Sequence, residues 1–316
     1  VLKRENPTHI AVGFDPSGPT FRHEAFEAYK AQREETPEDI RIAVPYIRNI
    51  IEAYHIPIVE VPRYEADDVI GTIAKLAEKE GFDVYMMTPD KDYGQLVSDH
   101  IFQYRPKFGG DYEILGVQEV LTKYNLTSVD QMIDLLGLMG DSSDNIPGCP
   151  GVGEKTAQKL LTEFGSIENL LANTDKLKGS LKTKVETHVE QIRFSKFLAT
   201  IVTDVPIQFD PAACIRETPD KSKLIEIYTE LEFRTFINRL NDDDVKKTNV
   251  QPAQLSFFGE SFGEAKTDTT LPDSDLSDIS QTCHTYHLAD TDEKRNELAT
   301  LLLSEESFAF DTETDG

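Results

Sequence analysis

Eight carboxylates in four short runs constrain this chain more than any other feature. They are Asp15 in GFDPSGPTFRHE, Glu65, Asp67 and Asp68 in YEADD, Asp90 and Asp92 in PDKD, and Asp141 and Asp144 in GDSSDN. Each run lies beside a turn or at the end of an apolar stretch. In an extended strand end Asp90 and Asp92 point to the same side. In a first helical turn Glu65 and Asp68 are neighbours, and a tight turn lets Asp141 and Asp144 share a side. Crowded carboxylates repel, and burying them unpaired is costly. A fold that gathers these runs must therefore place cations among them. Oxygen-only ligands select hard ions, Mg²⁺ or Mn²⁺, and two such ions about 3.5–4 Å apart are a recurring device for phosphodiester cleavage. Taken singly, each run has a plainer reading, as acids favoured at a helix start or as turn and cap residues. The metal reading rests on all four lying at loop ends of one layer.

That layer is expected from the pattern of the first 115 residues. Residues 9–15, 57–62, 84–88 and 100–105 read as strands, with helical patterns at 37–54, 65–80 and 91–97. Alternation of this kind predicts an α/β fold with a largely parallel central sheet and flanking helices. Chemistry in such sheets gathers at the carboxyl ends of strands, where Asp15 and Asp90 fall. Residues 116–240 read as a helical subdomain, with helices at 116–124, 128–139, 153–163, 166–172, 180–202 and 221–232. Residues 241–282 are polar and aperiodic and are expected to be a disordered linker. Residues 283–316 regain a strand, a helix near 292–303 and a second strand, like the opening of another domain. Both ends are expected to be cut points in a longer protein.

The net charge is −25, which at first sight argues against nucleic acid. Its distribution changes that reading. Residues 241–316 carry −13 and residues 1–240 carry −12, and the eight clustered acids are among the latter. Divalent ions at the clusters would neutralise much of that excess. Cys149, Cys214 and Cys283 are odd in number and far apart, which argues against a disulfide framework or a zinc site and fits a reducing cytosol. No apolar run reaches membrane-spanning length, and no signal series opens the chain. His284 and His287 lack any further ligand pattern, and the seven histidines suggest neither zinc nor a Ser–His–Asp triad.

Residues 145–161, NIPGCPGVGEKTAQKLL, combine a Gly-rich turn with an amphipathic helix opening at Glu154. Gly151, Val152 and Gly153 would expose backbone N–H groups beside a helix N-terminus, which suits a phosphate. Lys155 and Lys159 add charge on one helical face, with Thr156 in the same turn. The segment resembles the helix–hairpin–helix of many DNA-binding proteins, which holds the backbone rather than the bases. Its plain alternative is a helix pair joined by a Gly-rich turn.

With these residues in place, residues 9–240 resemble the 5′ nuclease domain of bacterial DNA polymerase I. The resemblance rests on FDPSGPTFRHEAFEAYKAQR, YEADDVI, TPDKDYGQL and LMGDSSDNIPGCPGVGEKTAQKLL, in the family's order. It implies a PIN-like 5′ nuclease fold, with the eight acids as the metal-binding array. One ion is expected near Asp15 and Asp67, the other near Asp90, Asp92 and Asp144. Arg22, Lys30 and Arg33 match basic positions of a mobile helical arch over the threaded 5′ strand and, with Asp15, are the expected catalytic residues. Without the family, those three cations read as a solvated helix face. The resemblance further implies K⁺ at the helix–hairpin–helix, 5′-flap DNA and RNA primers as substrates, a monomer, and a cytoplasmic, nucleoid-associated location. The family begins with a further strand bearing another metal-binding Asp that this sequence does not contain, so the fragment as written is expected to be inactive. At the other end, FAFDTETDG places Asp311 and Glu313 two apart on a strand, like the first motif of the 3′–5′ exonuclease-like domain. Two alternatives stay open: a catalytically inactive, structure-specific DNA-binding module, and an RNase of a related metal-nuclease fold.

Within the polar linker, QLSFF is the one compact apolar spot. Gln254, Leu255, Phe257 and Phe258 resemble short peptides by which bacterial proteins dock on the sliding clamp, an interaction suited to a segment that orders on binding. Phe257 stands where that peptide usually has Leu, and a patch that packs on a neighbouring domain is the plain alternative. A synthetic linker peptide should bind sliding clamp in a fluorescence-anisotropy titration, and Leu255→Ala with Phe258→Ala should abolish that binding.

Overall fold

The computed structural model describes residues 2–247, the last seven as backbone only, and residues 288–304. They fall in two units that divide between Gln251 and Pro252. In the second unit the described part is one helix, α12 (Asp292–Ser304), where the sequence predicts a helix near 292–303. Gln254, Leu255, Phe257, Phe258, His284, His287, Asp311 and Glu313 lie outside the described residues. Among the described residues no helix is long and apolar enough to cross a membrane.

The first unit opens with β1 (Val12–Gly13), α1 (Phe21–Ala25), α2 (Glu38–Ala53), β2 (Ile58–Val59), α3 (Ala66–Lys79), β3 (Val84–Met87), β4 (Ile101–Pro106) and β5 (Tyr112–Leu115). The parallel alternation is present, but the expected single sheet is two. β1 pairs in parallel with β2, and β3 pairs in parallel with β4, which pairs antiparallel with β5. The run 9–15 is recruited elsewhere at its start. His9 bridges Ile215, Ile10 donates to Cys214 and Arg216 donates to Thr8, leaving two residues for β2. β5 follows β4 through a short connection, and only an antiparallel pair can be closed that way.

The helical part holds α4 (Val117–Tyr124), α5 (Gln131–Met139), α6 (Glu154–Phe164), α7 (Ile167–Ala172), α8 (Gly179–Thr187), α9 (Val189–Ala199), α10 (Lys221–Glu230) and α11 (Arg234–Lys247). The stretch 180–202 is two helices, broken at His188, whose ring nitrogen lies 2.8 Å from the Lys184 carbonyl at the end of α8. The His188 backbone N–H donates to the same carbonyl at 3.1 Å. α11 continues to Lys247, so the segment expected to be linker from 241 begins as helix.

The larger core lies among α5, α6 and α9, with Met132, Leu135, Leu136, Leu161 and Ile192 fully buried. Gly137 lets α5 and α9 approach closely: a Cβ there would lie 2.9 Å from Lys196 Cα. A smaller core joins α3, β3 and β4 through Ala74, Met86, Leu96 and Ile101, and Ile201 reaches it from beyond α9.

Between α5 and α6 the backbone crosses itself at Gly140 and Gly148, closing the loop that carries Asp141 and Asp144. Gly148 has φ +61°, and a Cβ on it would lie 2.4 Å from Gly140 N. That combines left-handed strain with a backbone clash that no rotamer relieves. Gly148→Ala should cost about 2–4 kcal/mol in urea unfolding, whereas Gly153→Ala, with open space around it, should cost under about 1 kcal/mol.

Candidate active site

The four acid runs are carried by four elements of this fold. β1 delivers Asp15, whose Oδ1 accepts the Ala66 N–H at 2.8 Å, at the start of α3. Acids are favoured there because the first N–H groups of a helix have no internal partner. Glu65 caps α3, and its own N–H donates to Asp68 Oδ2 at 3.1 Å. β3 leads to Asp90, which caps a 3-10 turn (Lys91–Leu96) by accepting the Asp92 N–H at 3.0 Å. The turn replaces the extended strand end expected for Asp90 and Asp92. Asp141 opens the 140–148 loop and accepts the Ser143 N–H at 2.7 Å.

Cationic and phenolic side chains are drawn into these acids. Lys30 Nζ lies 2.6 Å from Glu65 Oε1 and 3.8 Å from Asp144 Oδ2. The Tyr29 hydroxyl lies 2.9 Å from Glu65 Oε2 and 3.3 Å from Asp144 Oδ2. Arg33 pairs with Asp144, and Lys91 with Asp141 and, at 3.4 Å, with Asp92. Among the described residues no three His, Cys, Asp or Glu side chains meet closely enough to hold one metal ion. The acids are parted by these cations.

Arg22, Lys30 and Arg33 do not form a mobile helical arch here. Residues 26–33 are turns, stitched to the 140–148 loop by Lys30 N–H to Asp144 O (3.0 Å), Asn145 Nδ2 to Ala28 O (2.7 Å), Arg33 Nε to Ser143 O (3.2 Å) and a Gln32–Ser142 bond. Lys30 sits at φ +55°, off helical geometry. Uncompensated acids on the loop outcompete helical hydrogen bonds for these side chains.

Arg22 is 1% exposed and is neither a solvated cation nor a strand guide. It makes five hydrogen bonds: two to Asp68 (2.7 and 2.8 Å), one to Glu65 Oε2 (3.2 Å), and one each to the carbonyls of Leu198 (3.0 Å) and Thr200 (2.6 Å). Asp68 is fully buried and also accepts the Val202 N–H at 2.8 Å. The guanidinium and main-chain N–H groups take its oxygens, so Asp68 has nothing left to offer a metal, contrary to the expectation from sequence.

Two of the remaining acids, Asp67 and Asp92, are short of counter-charge. Burial pushes Asp67 up to about 7; Arg22 opposes this, while Asp68 and Glu65 reinforce it. Burial likewise pushes Asp92 up to about 6, opposed by Lys91 and reinforced by Asp90, Asp141 and Asp144. The buried Oδ1 of Asp92 is met only by Lys91, 3.4 Å away. Burial also works against Asp141, but hydrogen bonds from Lys91 and Ser143 outweigh it and hold that acid below its ordinary value. Two acids strained by burial and an all-oxygen donor set fit a divalent cation.

The Gly-rich hairpin lies at the start of α6. Val152 is buried in the larger core, while Gly151, at φ +75°, Gly153, Lys155 and Lys159 are exposed and Thr156 is half-buried. The preceding helix, α5, ends at Met139, with the acidic loop between it and Gly151. Lys184 of α8, which sequence reasoning missed, reaches the hairpin: its Nζ would lie 2.3 Å from a Cβ on Gly151. Lys91 was also missed, although its place between Asp90 and Asp92 was a readable signal.

Two family profiles match consecutive segments: the N-terminal resolvase-like domain of 5′–3′ exonucleases over residues 1–125, and their C-terminal SAM fold over residues 127–222. The chain belongs to the 5′–3′ exonuclease family. DNA polymerase I of Bacillus subtilis (strain 168) is 45% identical over 253 residues, covering 79% of this chain and 29% of that protein. DNA polymerase I of Bacillus caldotenax is 44% identical over 242 residues, 76% of this chain and 28% of that protein. The chain thus spans under a third of the length of these relatives. A T5 5′-exonuclease structure with bound zinc has the same fold, with TM-score 0.53 and 23% identity, over 63% of this chain and 76% of that one. So does the T5 D15 flap endonuclease in a complex with DNA and metal ions, with TM-score 0.54 and 22% identity, over 64% and 77%.

The Asp67 shift has a testable sign. Between its ordinary 3.8 and about 7 the folded chain holds a proton that the unfolded chain has lost, so metal-free stability falls as pH rises through that window. Without metal at pH 8, Asp67→Asn should stabilise the protein by about 1 kcal/mol in urea unfolding, with the gain fading by pH 5. Adding Mg²⁺ at pH 8 should stabilise the wild type more than the variant.

Proposed function

We propose that this chain is the nuclease portion of a structure-specific 5′ nuclease, cutting DNA phosphodiesters at 5′ flaps and primer ends with divalent cations. The observation that carries this reading is the match of residues 1–125 and 127–222 to the two 5′–3′ exonuclease domains, and beside it stand the acids Asp67 and Asp92, strained by burial, with cations drawn among their neighbours. Asp15, Glu65, Asp67, Asp90, Asp92, Asp141 and Asp144 would hold Mg²⁺ or Mn²⁺. When bound, the ions supply Lewis-acid stabilisation of the charge that builds on attacking and leaving oxygens.

The chain's own residues supply the rest. Lys30, Arg33 and Lys91 balance the acids, and their positive charge would also suit the phosphates of the 5′ strand. Tyr29, buried against Glu65 and Asp144 and pushed above its ordinary pKa by desolvation and both acids, stays protonated and orients them. The hairpin at Gly151, Val152 and Gly153, with Lys155, Thr156, Lys159 and Lys184, grips the duplex backbone without reading bases, and K⁺ bound there would serve the same grip. Products carry a 5′-phosphate and a 3′-hydroxyl. The role that follows is removal of flaps and RNA primers in replication and repair, by a cytoplasmic, nucleoid-associated protein that acts as a monomer and docks on the sliding clamp through its linker.

Cleavage of a labelled 5′-flap duplex in Mg²⁺ tests this, using the chain alone and the chain joined to the N-terminal, Asp-bearing strand expected from the family resemblance. The extended chain should cut, EDTA should stop it, and Asp92→Asn should lower kcat by about 100-fold or more with flap binding retained. If both versions bind flaps tightly and neither cuts in Mg²⁺ or Mn²⁺, the chain is a DNA-binding module.

A further inference from the structure

We propose that α9 and the segment leaving it, residues 191–202, form the positioning spine of the carboxylate site, and that Arg22 and Gln95 are the positioning residues that tie the acids to it. The proposal deepens the nuclease reading above and rests on it. No acid of the site lies on this segment, and nothing in its sequence marks it.

The case is in where the backbone hydrogen bonds go. The last carbonyls of a helix have no partner within it. At the end of α9 the carbonyls of Leu198 and Thr200 are taken by Arg22, and the Ala199 carbonyl by Gln95 Nε2 at 3.0 Å. The next N–H groups are taken in the same way. Ile201 donates to Gln95 Oε1 at 2.8 Å and Val202 to Asp68 Oδ1 at 2.8 Å. One turn back, the Ser195 hydroxyl accepts the Gly148 N–H at 3.0 Å, and Gln191 Nε2 donates to the Gly148 carbonyl at 2.8 Å.

Each of these partners belongs to an acid-bearing element. Asp68 is one turn into α3, beside Asp67, and Arg22 also holds Glu65. Gln95 is on the 3-10 turn that carries Asp92. Gly148 closes the loop of Asp141 and Asp144. Three of the four acid runs are thus hung from one segment by buried or half-buried bonds. A metal site tolerates about 0.5 Å of misplacement, and bonds of this kind fix distances that long flexible acids cannot. The arrangement also explains a buried charge pair: Arg22 neutralises Asp68 so that Asp68 can space the other acids without joining them.

Mn²⁺ binding separates positioning from general support of the fold. Isothermal titration of the chain with Mn²⁺, beside urea unfolding, would be run for wild type, Gln95→Met, Arg22→Lys and, as a control of matched destabilisation far from these bonds, Val185→Ala in α8. Gln95→Met and Arg22→Lys should weaken Mn²⁺ about 10-fold or more in the folded protein, while Val185→Ala lowers the urea midpoint without moving Mn²⁺ affinity. Should Arg22→Lys fail to fold, Gln95→Met decides alone. Wild-type Mn²⁺ affinity in folded Gln95→Met overturns the proposal, as does an equal loss in Val185→Ala. A wild-type chain that takes up no Mn²⁺ overturns the nuclease reading and this proposal with it, a result distinct from wild-type binding that the variants leave unchanged.

Discussion

Charge repulsion among carboxylates that must stand close together governs this structure. Burying Asp67 and Asp92 beside other acids raises the cost of ionising them. Two responses are visible. Asp67 and Asp92 absorb the cost as raised pKa values. Glu65, Asp141 and Asp144 are relieved by Lys30, Lys91 and Arg33. Both leave the same deficit, a need for positive charge that side chains meet only in part. A site short of cation in this way binds divalent ions without having to create the charge demand at the moment of binding.

The same demand explains the turn that replaced a helix. Residues 26–33 hold Tyr29, Lys30, Gln32 and Arg33 against the acidic loop. A helix there would satisfy its own backbone but leave these side chains in water and the acids bare. Charge-assisted bonds to carboxylates are about twice as strong as neutral ones, and they hold the turn against the loop.

Much of the site was legible in the sequence because acids beside turns are a local pattern. Glu65 at the start of a helix, Asp90 at the end of β3 and Asp141 with Asp144 in a turn could all be placed from their neighbours. The exposed face of the hairpin, with Lys155 and Lys159, followed from helical spacing. The misread residues fail for one reason: their roles are set by partners far away in sequence. Arg22 looks like a member of a basic face and is instead met by carbonyls 176 and 178 residues later. Asp68 looks like its neighbour Asp67, yet points the other way, to Arg22 and Val202. The split of the sheet has the same origin, since the segment that captures His9 and Ile10 is near residue 215.

Arginine at position 22 is a demanding choice, and the demand is informative. Desolvation there works against its charge, and the bonds to Asp68 with the charge of the nearby acids more than offset it. A buried ion pair is often no more stabilising than well-packed apolar side chains of the same volume, so stability alone is a weak reason to bury one. The planar guanidinium, however, presents five donors in a fixed fork, and here all five are used on two elements besides its own. A lysine could neutralise Asp68, and a leucine could fill the space, but neither could hold α1, α3 and the exit of α9 at fixed mutual distances. The pair is best understood as a joint between the helical layer that carries the hairpin and the α/β layer that carries the acids.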